Sequence, residues 1–556
     1  MRGLEVCAPD PVAHCLGQAD TALVKQGQGH VADRTWRRNG RRAPLARIAA
    51  GENALRGAPG SMGRVLSDVE CRRLGSAFAE QDYTVDAVVE LLGEEAHRAL
   101  GRNNTVPGVR ALAGRTDPLA TLTMLWVLQQ PVSRAAVDRA LAGLVDPLIS
   151  AGILRESAAE VVALLDIRPY ASDDGASGWV FSDLSPQLDT MITPMRPDFV
   201  LGVSTASATL AQLTIRRQAE RALDLGTGCG VQSLHLAQHV DAVVATDLNP
   251  RAIQLAGLTA KINSIKLDLR QGDLFNPVAG EKFDVIVSNP PYVMSPASPN
   301  NERLTYREGN RPGDSLIHHV VLDGAAHLAG GGVLQVLANW AHLRGGDWSD
   351  RLRDWVATTG CDAHVVQREI LDPSEYVEMW LSDAGLFGSP GYRHRYREWL
   401  DYFAALNIEA VGLGWIVLQR NGREDPDIRI ENWPYPVEQP IGPVFDEGFK
   451  AVDLARSSDA DLLAHEWRLA EDVVEETRGS PGAADPRTIA LRQQRGFRRA
   501  LQADTALAAV LGACDGELDL HTIVATVAGI LSIDPTALTQ SVLPIIRTCI
   551  RDGFLH

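Results

Sequence analysis

Cysteine is scarce and scattered in this chain of 556 residues. The seven cysteines include no C-x-x-C pair, and no histidine cluster at metal-ligand spacing accompanies them. An odd, dispersed set of cysteines in a large chain is typical of reduced thiols rather than of disulfides or structural zinc. The sequence therefore predicts a cytoplasmic protein without a metal site.

Long apolar runs are also lacking. The best candidate for a membrane span, residues 522–533, is shorter than the roughly 20 residues that a bilayer requires and contains Gly529. The N-terminal residues lack the apolar core of a secretory signal. We expect a protein that is neither exported nor bound in a membrane.

An excess of positive charge is missing from most of the chain. The formal net charge is −17, which argues against a broad, sequence-independent phosphate-binding surface but leaves room for a local basic cleft. Residues 1–61 are the exception, because they carry RTWRRNGRR at 34–42. We interpret them as a disordered extension or as sequence ahead of a true start at Met62. A nucleic-acid-binding arm is the rarer role for so short a basic tract.

Residues 62–190 have the order of a winged-helix-like domain. Apolar residues recur at helical spacing in TVDAVVELLGEEAHRAL and in PLATLTMLWVLQQ, where Asp117 and Pro118 suit a helix start. PVSRAAVDRAL predicts another helix, and EVVALLDIRPY and GWVFSDL predict a hairpin across the turn-rich ASDDGAS. Such modules bind nucleic acid or dock proteins, and the fold alone does not decide between these uses.

The remaining chain divides into an α/β domain and a C-terminal domain. Over 195–420, short Val/Ile/Leu runs alternate with helical segments, which predicts a largely parallel sheet with helices on both faces. The last run, EAVGLGWIVLQR, is interpreted as an antiparallel edge hairpin strand. After a Pro-rich crossing, residues 445–556 are predicted to be helical. The ending CIRDGFL resembles LISAGIL of the N-terminal domain, since each has a glycine after a helix. This similarity favours a second winged-helix-like domain, and the alternative is that the glycine follows the helix by coincidence.

A glycine-rich turn, GTGCG, follows the first predicted strand of the α/β domain. Glycines there let the backbone approach a ligand closely and adopt positive φ. The spacing G-x-G-x-G lacks the third glycine of the dinucleotide fingerprint, which disfavours a pyrophosphate cofactor. Asp247 ends the next strand, where a carboxylate can accept both ribose hydroxyls of a nucleoside, and Asp273 in QGDLF lies where it can reach an adenine amino group. Each aspartate also suits a helix cap or a turn, but their order along three strand ends favours one nucleoside site.

The fourth strand, FDVIVS, runs directly into Asn289-Pro290-Pro291-Tyr292. With DLGTGCG, ATD and GDLF before it, this NPPY sequence closely resembles the class I S-adenosylmethionine (SAM)-dependent methyltransferases that modify a nitrogen attached to an sp² carbon. The resemblance covers residues 195–420 and implies a Rossmann-like sheet. The predicted fold is therefore an α/β class I methyltransferase sheet, with the winged-helix-like domain before it and the C-terminal helical domain after it.

The resemblance also implies roles for individual residues. The side-chain oxygen of Asn289 and the carbonyl of Pro290 would accept the hydrogens of the target nitrogen, and Pro291 would help to fix the turn, since proline restricts φ. Tyr292 would stack on the planar target group. The residues implied to hold SAM are Asp224, Gly226, Thr227, Gly228, Gly230, Asp247, Asp273, Leu274 and Asn289.

Among enzymes with this motif, the chain is most similar to the HemK-type protein glutamine methyltransferases, in which a helical domain also precedes the catalytic one. YREGNRPGDSL, at 306–316, loosely matches the loop that follows NPPY in that group. The wing and the C-terminal domain have no counterpart there. A macromolecular substrate is expected, either a protein glutamine or a base amino group, adenine N6 or guanine N2, in rRNA, tRNA or DNA. The oligomeric state is left open.

Two further interpretations follow from the remaining features. GYRHRYREW, at 391–399, interleaves aromatic residues with Arg and His, and is either a path for a nucleic-acid backbone or a solvated helix face. Winged-helix domains would also suit a SAM-binding regulator that binds DNA. The intact NPPY sequence argues against that regulator, since a sensor has no need for amino-group acceptors.

Overall fold

The computed structural model describes residues 64–186, 188–190, 196–296, 311–481 and 486–556. Within them the chain forms two compact units. One comprises residues 64–190 together with Lys261–Ser264, and the other comprises residues 196–260 and 265–556. The basic extension predicted over residues 1–61 and part of the 306–316 loop lie outside the described residues.

The N-terminal unit combines short helices with two small sheets. Its elements are α1 Asp68–Glu80, α2 Val85–Leu100, α3 Val106–Ala111, α4 Pro118–Leu122, α5 Arg134–Ala140, α6 Val145–Ser150, β1 Val132–Ser133, β2 Leu154–Ser157, β3 Glu160–Ala163, β4 Asp166–Ala171 and β5 Ser177–Ser182. Helix α4 starts as its sequence predicts, because the Asp117 carboxylate accepts a hydrogen bond from the Ala120 N–H and Pro118 occupies the first turn. The helix then continues into one π-helical turn, Thr123–Val127.

The predicted hairpin across ASDDGAS forms, because β4 and β5 pair antiparallel, but its first strand is shorter than predicted. EVVALLDIRPY, predicted as one strand, forms both β3 and β4, which belong to different sheets. β3 lies between β1 and β2, and β4 pairs with β5 alone. The break falls at Leu164, which is half-exposed beside the buried Leu165, and both backbone N–H groups bond the Ile153 carbonyl. The apolar run itself does not indicate the break, because the break results from pairing with strands elsewhere in the chain. The winged-helix assignment stays a prediction.

The second unit contains an eight-stranded sheet in the order β13-β11-β12-β10-β9-β6-β7-β8. Its strands are β6 Ala219–Leu225, β7 Val240–Asp247, β8 Leu267–Gln271, β9 Phe283–Ser288, β10 Leu328–Leu343, β11 Asp362–Leu371, β12 Ile408–Gln419 and β13 Ile428–Asn432, and its helices are α7 Thr205–Leu213, α8 Val231–Leu236, α9 Pro250–Ile262, α10 Ser315–Ala326, α11 Trp348–Ala357, α12 Pro373–Asp383 and α13 Tyr392–Ala405. Strands β6 to β10 run parallel, whereas β12 is antiparallel to both of its neighbours. The predicted class I methyltransferase fold is confirmed.

The apolar runs of these strands are explained by burial on both faces of the sheet. Val285 and Val287 of β9 pack in one hydrophobic cluster, and Ile286 between them packs in the cluster on the opposite face. Successive strand residues point to opposite faces, so a strand that is covered on both sides must be apolar throughout. This is why FDVIVS predicts a central strand.

Strand β12 is antiparallel, as predicted, but the prediction that it lies at the edge is wrong. It lies between β10 and β11, and β13 occupies that edge of the sheet. Gly412 and Gly414 suit the internal position, since an added Cβ would collide with Gln367 of β11 at the first site and with the Val366 carbonyl of β11 at the second. The sequence shows the glycines but not the neighbours that require them.

The C-terminal region of this unit contains helices and an unpredicted sheet. Its helices are α14 Gly442–Ala455, α15 Asp459–Ala464, α16 Thr505–Gly512, α17 Leu520–Leu531 and α18 Pro535–Arg551, and its strands are β14 Val473–Arg478, β15 Thr488–Gln493 and β16 Ala500–Ala503. The three strands form an antiparallel sheet, so a purely helical domain is wrong. Strand β14 is almost entirely exposed and gives no hydrophobic pattern from which to predict it. The winged-helix-like reading of 445–556 stays a prediction.

The described part of the chain can be searched for membrane-spanning helices and for disulfides. None of its helices is long and apolar enough to cross a membrane. Its five cysteines, Cys71, Cys229, Cys361, Cys514 and Cys549, are all buried and free.

Candidate active site

Four parallel strands end at the same level of the sheet. Leu225 at the end of β6 pairs with Thr246 of β7 on one side and with Ser288 of β9 on the other, and Thr246 pairs with Arg270 of β8. The Ser288 hydroxyl also donates a hydrogen bond of 2.9 Å to the Leu225 carbonyl. The segments GTGCG, Asp247, GDL and NPPY therefore leave the sheet side by side.

These segments surround a cavity of about 410 Å³ at the carboxyl edge of the sheet. That volume lies within the range of about 300–1,000 Å³ for sites that hold small molecules. The predicted residues that line it are Asp224, Gly226, Thr227, Gly228, Asp247, Asp273, Leu274, Asn289, Pro290 and Pro291. Gly230 and Tyr292 are not among its lining residues.

The glycine turn exposes backbone to the cavity. Gly226 and Gly228 have φ angles of 77° and 55°, which disfavour any residue with a Cβ. An added Cβ at either would meet no heavy atom within 4 Å, so open space adjoins the backbone. The N–H groups of Gly226 and Thr227 both donate to the Thr246 carbonyl at 2.9 Å, which fixes the turn to β7. Gly230 instead allows close packing, because an added Cβ would lie 3.2 Å from Ala256 of α9.

Asp224 stabilises this turn through hydrogen bonds to its carboxylate. Its Oδ2 accepts hydrogen bonds of 2.7 Å from the Thr227 and Ser233 hydroxyls. Burial raises the pKa of the Asp224 carboxyl to about 6, although the two hydroxyl donors oppose that shift. Asp224 lines the cavity, but both hydrogen bonds shown for it lie within the turn and the helix that follows. Asp224 thus fixes the shape of the turn, and its predicted role in cofactor binding stays a prediction.

Asp247 connects the end of β7 to the glycine turn. Its Oδ2 accepts a hydrogen bond of 3.0 Å from the Gly228 N–H, and its Oδ1 accepts one of 2.8 Å from the Asn249 N–H. Burial raises the pKa of Asp247, while these backbone donors lower it. A carboxylate oxygen can accept more than one hydrogen bond, so both oxygens keep capacity for ligand hydroxyls. This fits the role predicted for Asp247.

Asp273 and Leu274 form the part of the lining that follows β8. The Gly272 N–H donates to the Asp247 carbonyl at 3.0 Å, which holds the segment against β7. Asp273 is exposed, and Leu274 adopts a φ of 46° and packs partly against the core. An acidic group beside an apolar one suits the edge and the face of an aromatic heterocycle.

The NPPY turn closes the cavity on the β9 side. Asn289 is half-buried and Pro290 is buried, and both line the cavity with Pro291. Burial raises the pKa of Tyr292 to about 12, so its phenol is neutral at physiological pH. The Tyr292 ring makes an edge contact with Trp380 of α12, with 6.3 Å between ring centroids. Tyr292 thus contacts α12, and its predicted stacking on a target group stays a prediction.

One lining segment has no counterpart in the sequence analysis. Phe199, Val200, Leu201 and Ser204 lie on the cavity wall just before α7. The Asn249 side-chain amide donates a hydrogen bond of 2.9 Å to the Asp198 carbonyl, which ties this segment to the residues after Asp247. The only local signal is an apolar run, DFVLGV, ahead of Ser204, which caps α7. Arg311 and Leu316 also line the cavity and belong to the 306–316 loop that was noted after the NPPY turn, although neither was predicted as a site residue.

Three family models match separate parts of the chain. The methyltransferase small domain matches residues 202–345, which include every segment of the cavity from Gly202 to Leu316. Two domains of unknown function match the flanking regions, DUF7059 at residues 80–164 and DUF7782 at residues 447–556.

Relatives of this chain carry names that refer to glutamine. The release factor glutamine methyltransferase of Aliivibrio fischeri is 36% identical over 128 residues, which are 21% of this chain and 45% of that relative. The Escherichia coli (strain K12) protein of the same name is 34% identical over 26% of this chain and 54% of its own length. A Methanocaldococcus jannaschii protein, provisionally named a protein N5-glutamine methyltransferase, is 34% identical over 21% of this chain and 59% of its own length. The chain thus spans about half the length of these relatives.

A solved structure of the T. thermophilus 16S rRNA N2 G1207 methyltransferase, in complex with AdoMet and guanosine, is similar over 40% of this chain and 58% of its own. The sequence identity is 17% and the TM-score is 0.24.

Proposed function

We propose that the domain that matches the methyltransferase small domain transfers a methyl group from SAM to a planar nitrogen, the side-chain amide of a protein glutamine. One observation carries the proposal. The glycine turn, Asp247 and the Asn289-Pro290 turn line a single cavity at the carboxyl edge of the sheet. Nucleoside-holding groups and amino-group acceptors therefore face the same space.

The residues present fit SAM. The open backbone at Gly226 and Gly228 admits the cofactor closely, Asp247 offers carboxylate oxygens to the ribose hydroxyls, and Asp273 and Leu274 suit the adenine. When bound, SAM supplies an electrophilic methyl group on a sulfonium. No recognition of a pyrophosphate is needed, which agrees with the G-x-G-x-G spacing.

The task of the NPPY turn follows from the chemistry of an amide. An amide nitrogen attacks poorly because its lone pair is delocalised into the carbonyl. The side-chain oxygen of Asn289 and the carbonyl of Pro290 would accept its two hydrogens and so increase electron density on the nitrogen. Proline fixes φ at Pro290 and Pro291 and restricts Asn289, so these acceptors are arranged before the substrate arrives.

Protein glutamine is favoured over other planar nitrogens by the names of the relatives and by the similarity to HemK-type enzymes. The alternative, a base amino group in RNA or DNA, draws on helix α13, where Arg393 and Arg397 are exposed. Other polar groups of the same run are already bonded within the helix pair. His394 and Arg395 pair with Glu398, and the Tyr396 hydroxyl donates to Glu378 at 3.0 Å. This pairing favours a solvated helix face over a nucleic-acid path.

The remaining proposals concern the setting of the reaction. Buried, reduced cysteines favour a cytoplasmic enzyme. The N-terminal domain, residues 62–190, is proposed to be winged-helix-like. A SAM-binding regulator is the alternative of another class, and catalytic transfer to any macromolecule would exclude it.

The test is a labelling experiment. Methyl-labelled SAM and the purified chain are added to a lysate from cells that lack the protein, and the labelled macromolecules are divided between protease and nuclease treatments. Release of the label by protease alone supports the proposal. Release by nuclease alone assigns the reaction to a base amino group, and absence of transfer contradicts both.

A further inference from the structure

Helices α12 and α13, which lie between β11 and β12 in the chain, form a helix pair that contacts the NPPY turn. Tyr376 of α12 is fully buried. Its hydroxyl oxygen accepts a hydrogen bond of 3.0 Å from the backbone N–H of Met294, two residues after Tyr292, and one of 2.8 Å from the Asn339 side-chain amide on β10. A single phenol thus fixes the exit of the NPPY turn to the central sheet.

The second helix makes a similar contact with the segment that enters α10. Tyr402 of α13 accepts a hydrogen bond of 2.7 Å from the Gly313 N–H with its hydroxyl oxygen. Gly313 lies two residues after Arg311, which lines the cavity. The next residue, Asp314, is buried and receives hydrogen bonds of 2.6 Å from both terminal nitrogens of Arg351 and one of 2.7 Å from the Ala341 N–H. Side chains from α11 and α13 therefore fix the segment that enters α10.

A third contact joins the helix pair to the NPPY sequence itself. The Trp380 ring, one turn after Tyr376 on α12, lies 6.3 Å from the Tyr292 ring and 6.1 Å from the Tyr376 ring. Aromatic edge contacts of this kind add to the energy of burial and have a preferred geometry. Displacement of Tyr376 would therefore also change the packing around Tyr292.

We propose that Tyr376 and Tyr402 are positioning residues for methyl transfer, whose hydroxyls hold Met294 and Gly313 so that the Asn289-Pro290 acceptors keep the geometry the target nitrogen requires. The inference rests on the proposed function. Neither tyrosine lines the cavity. Each acts through the backbone of a segment that does, and a misplacement of reacting groups by about 1 Å can lower the rate by about 10²-fold.

The test replaces each hydroxyl by hydrogen. In Tyr376→Phe the ring stays in place, but the buried Met294 N–H and one Asn339 N–H lose their acceptor, so the turn is released from the sheet. We expect kcat to fall by about tenfold to a hundredfold in Tyr376→Phe, the scale for a misplaced reacting group, while the Kd for SAM is unchanged. Tyr402→Phe should lower kcat in the same way by a smaller factor.

The matched control is Tyr83→Phe. Tyr83 is equally buried, and its hydroxyl bonds the Ile167 carbonyl at 3.0 Å in the N-terminal unit. All three variants should lose thermal stability, so stability alone does not identify a positioning role. The proposal requires a fall in kcat in Tyr376→Phe and Tyr402→Phe but not in Tyr83→Phe. Equal kcat in all three variants, or a matching loss of SAM affinity, would overturn it.

Hydrogen exchange separates this inference from the proposed function. The Met294 amide should exchange slowly in the wild-type chain and measurably faster in Tyr376→Phe, with or without a substrate. Unchanged protection of Met294 overturns the inference even if transfer is observed. Absence of transfer by the wild-type chain instead overturns the proposed function, on which the inference depends.

Discussion

The Asp247 carboxylate accepts a hydrogen bond from the backbone N–H of Gly228 at 3.0 Å. This bond joins the end of one strand to the glycine turn that follows its neighbour. The two parts of the nucleoside site are therefore one unit, in which the same carboxylate shapes the turn and faces the cavity.

Asp247→Asn is predicted to weaken SAM binding. The substitution keeps the size of the side chain but replaces a charged acceptor, so binding should lose about 1.5–3 kcal/mol, the range for hydrogen bonds to a charged group. Titration calorimetry measures the change. Asp241→Asn, at the exposed start of the same strand, is the control and should leave the affinity unchanged. Equal affinities for the wild type and Asp247→Asn would refute the role.

Asn289→Ala is predicted to act on turnover rather than on binding. Loss of one preorganised acceptor should lower kcat by ~10²–10³, the range seen when a single donor or acceptor of this kind is removed. SAM should still bind, because the glycine turn and Asp247 are untouched. Steady-state kinetics together with calorimetry give the two values. A parallel loss of turnover and SAM affinity would assign Asn289 to the cofactor instead.

Asp224 should make the stability of the chain depend on pH. Its pKa is raised to about 6 in the folded chain, above the usual value of 3.8, so the folded state binds the proton more tightly than the unfolded state. Stability from this group is therefore present at low pH and is lost as the pH rises through about 4 to 6. Asp224→Asn should remove this loss, by roughly 1–3 kcal/mol at pH 7.

The measurement is urea unfolding of the wild type and Asp224→Asn at pH 4 and pH 7. Other titrating groups cancel in the difference between the two proteins. The variant should gain stability relative to the wild type as the pH rises. A difference that does not vary with pH would contradict the raised pKa.

Arg499→Met should destabilise the second unit strongly. Arg499 donates two hydrogen bonds, of 2.9 and 2.6 Å, to Glu431, whose pKa lies far below its usual range despite burial because His364, Arg429 and Arg499 stabilise its charge. Removal of one partner of a buried pair costs about 3–5 kcal/mol. Arg492→Met, which breaks a more exposed pair with Glu476, should cost about 0–1 kcal/mol. Chemical denaturation compares the two, and similar losses would contradict the difference.

Local motifs account for what the sequence predicted of the site. The glycine turn, Asp247, Asp273 and NPPY each follow a recognisable strand, and parallel strands bring their carboxyl ends to one edge. Asp224 and Thr227 also bond each other within the turn, and Gly230 packs against Ala256 of α9, so their predicted roles in cofactor binding stay predictions.

What the sequence could not predict depends on partners that are distant along the chain. Tyr376 lies 82 residues from Met294, and neither residue alone suggests the other. The split of 160–170 into two strands, the internal position of β12 and the exposed strand β14 likewise arise from pairing rather than from local pattern. The cavity wall at Phe199 and Val200 was missed because its apolar residues resemble any core segment.

The chemical identity of the methylated group tests the account most directly. Acid hydrolysis of an N-methylated glutamine amide gives glutamic acid and methylammonium, so the label from methyl-labelled SAM should be recovered as volatile methylamine, once the hydrolysate is made alkaline, from protein treated with the wild-type chain. Protein treated with Asn289→Ala should yield about 10²–10³-fold less methylamine per unit time. Label that is found only in nucleic acid, or methylamine formed equally by both chains, would contradict the account.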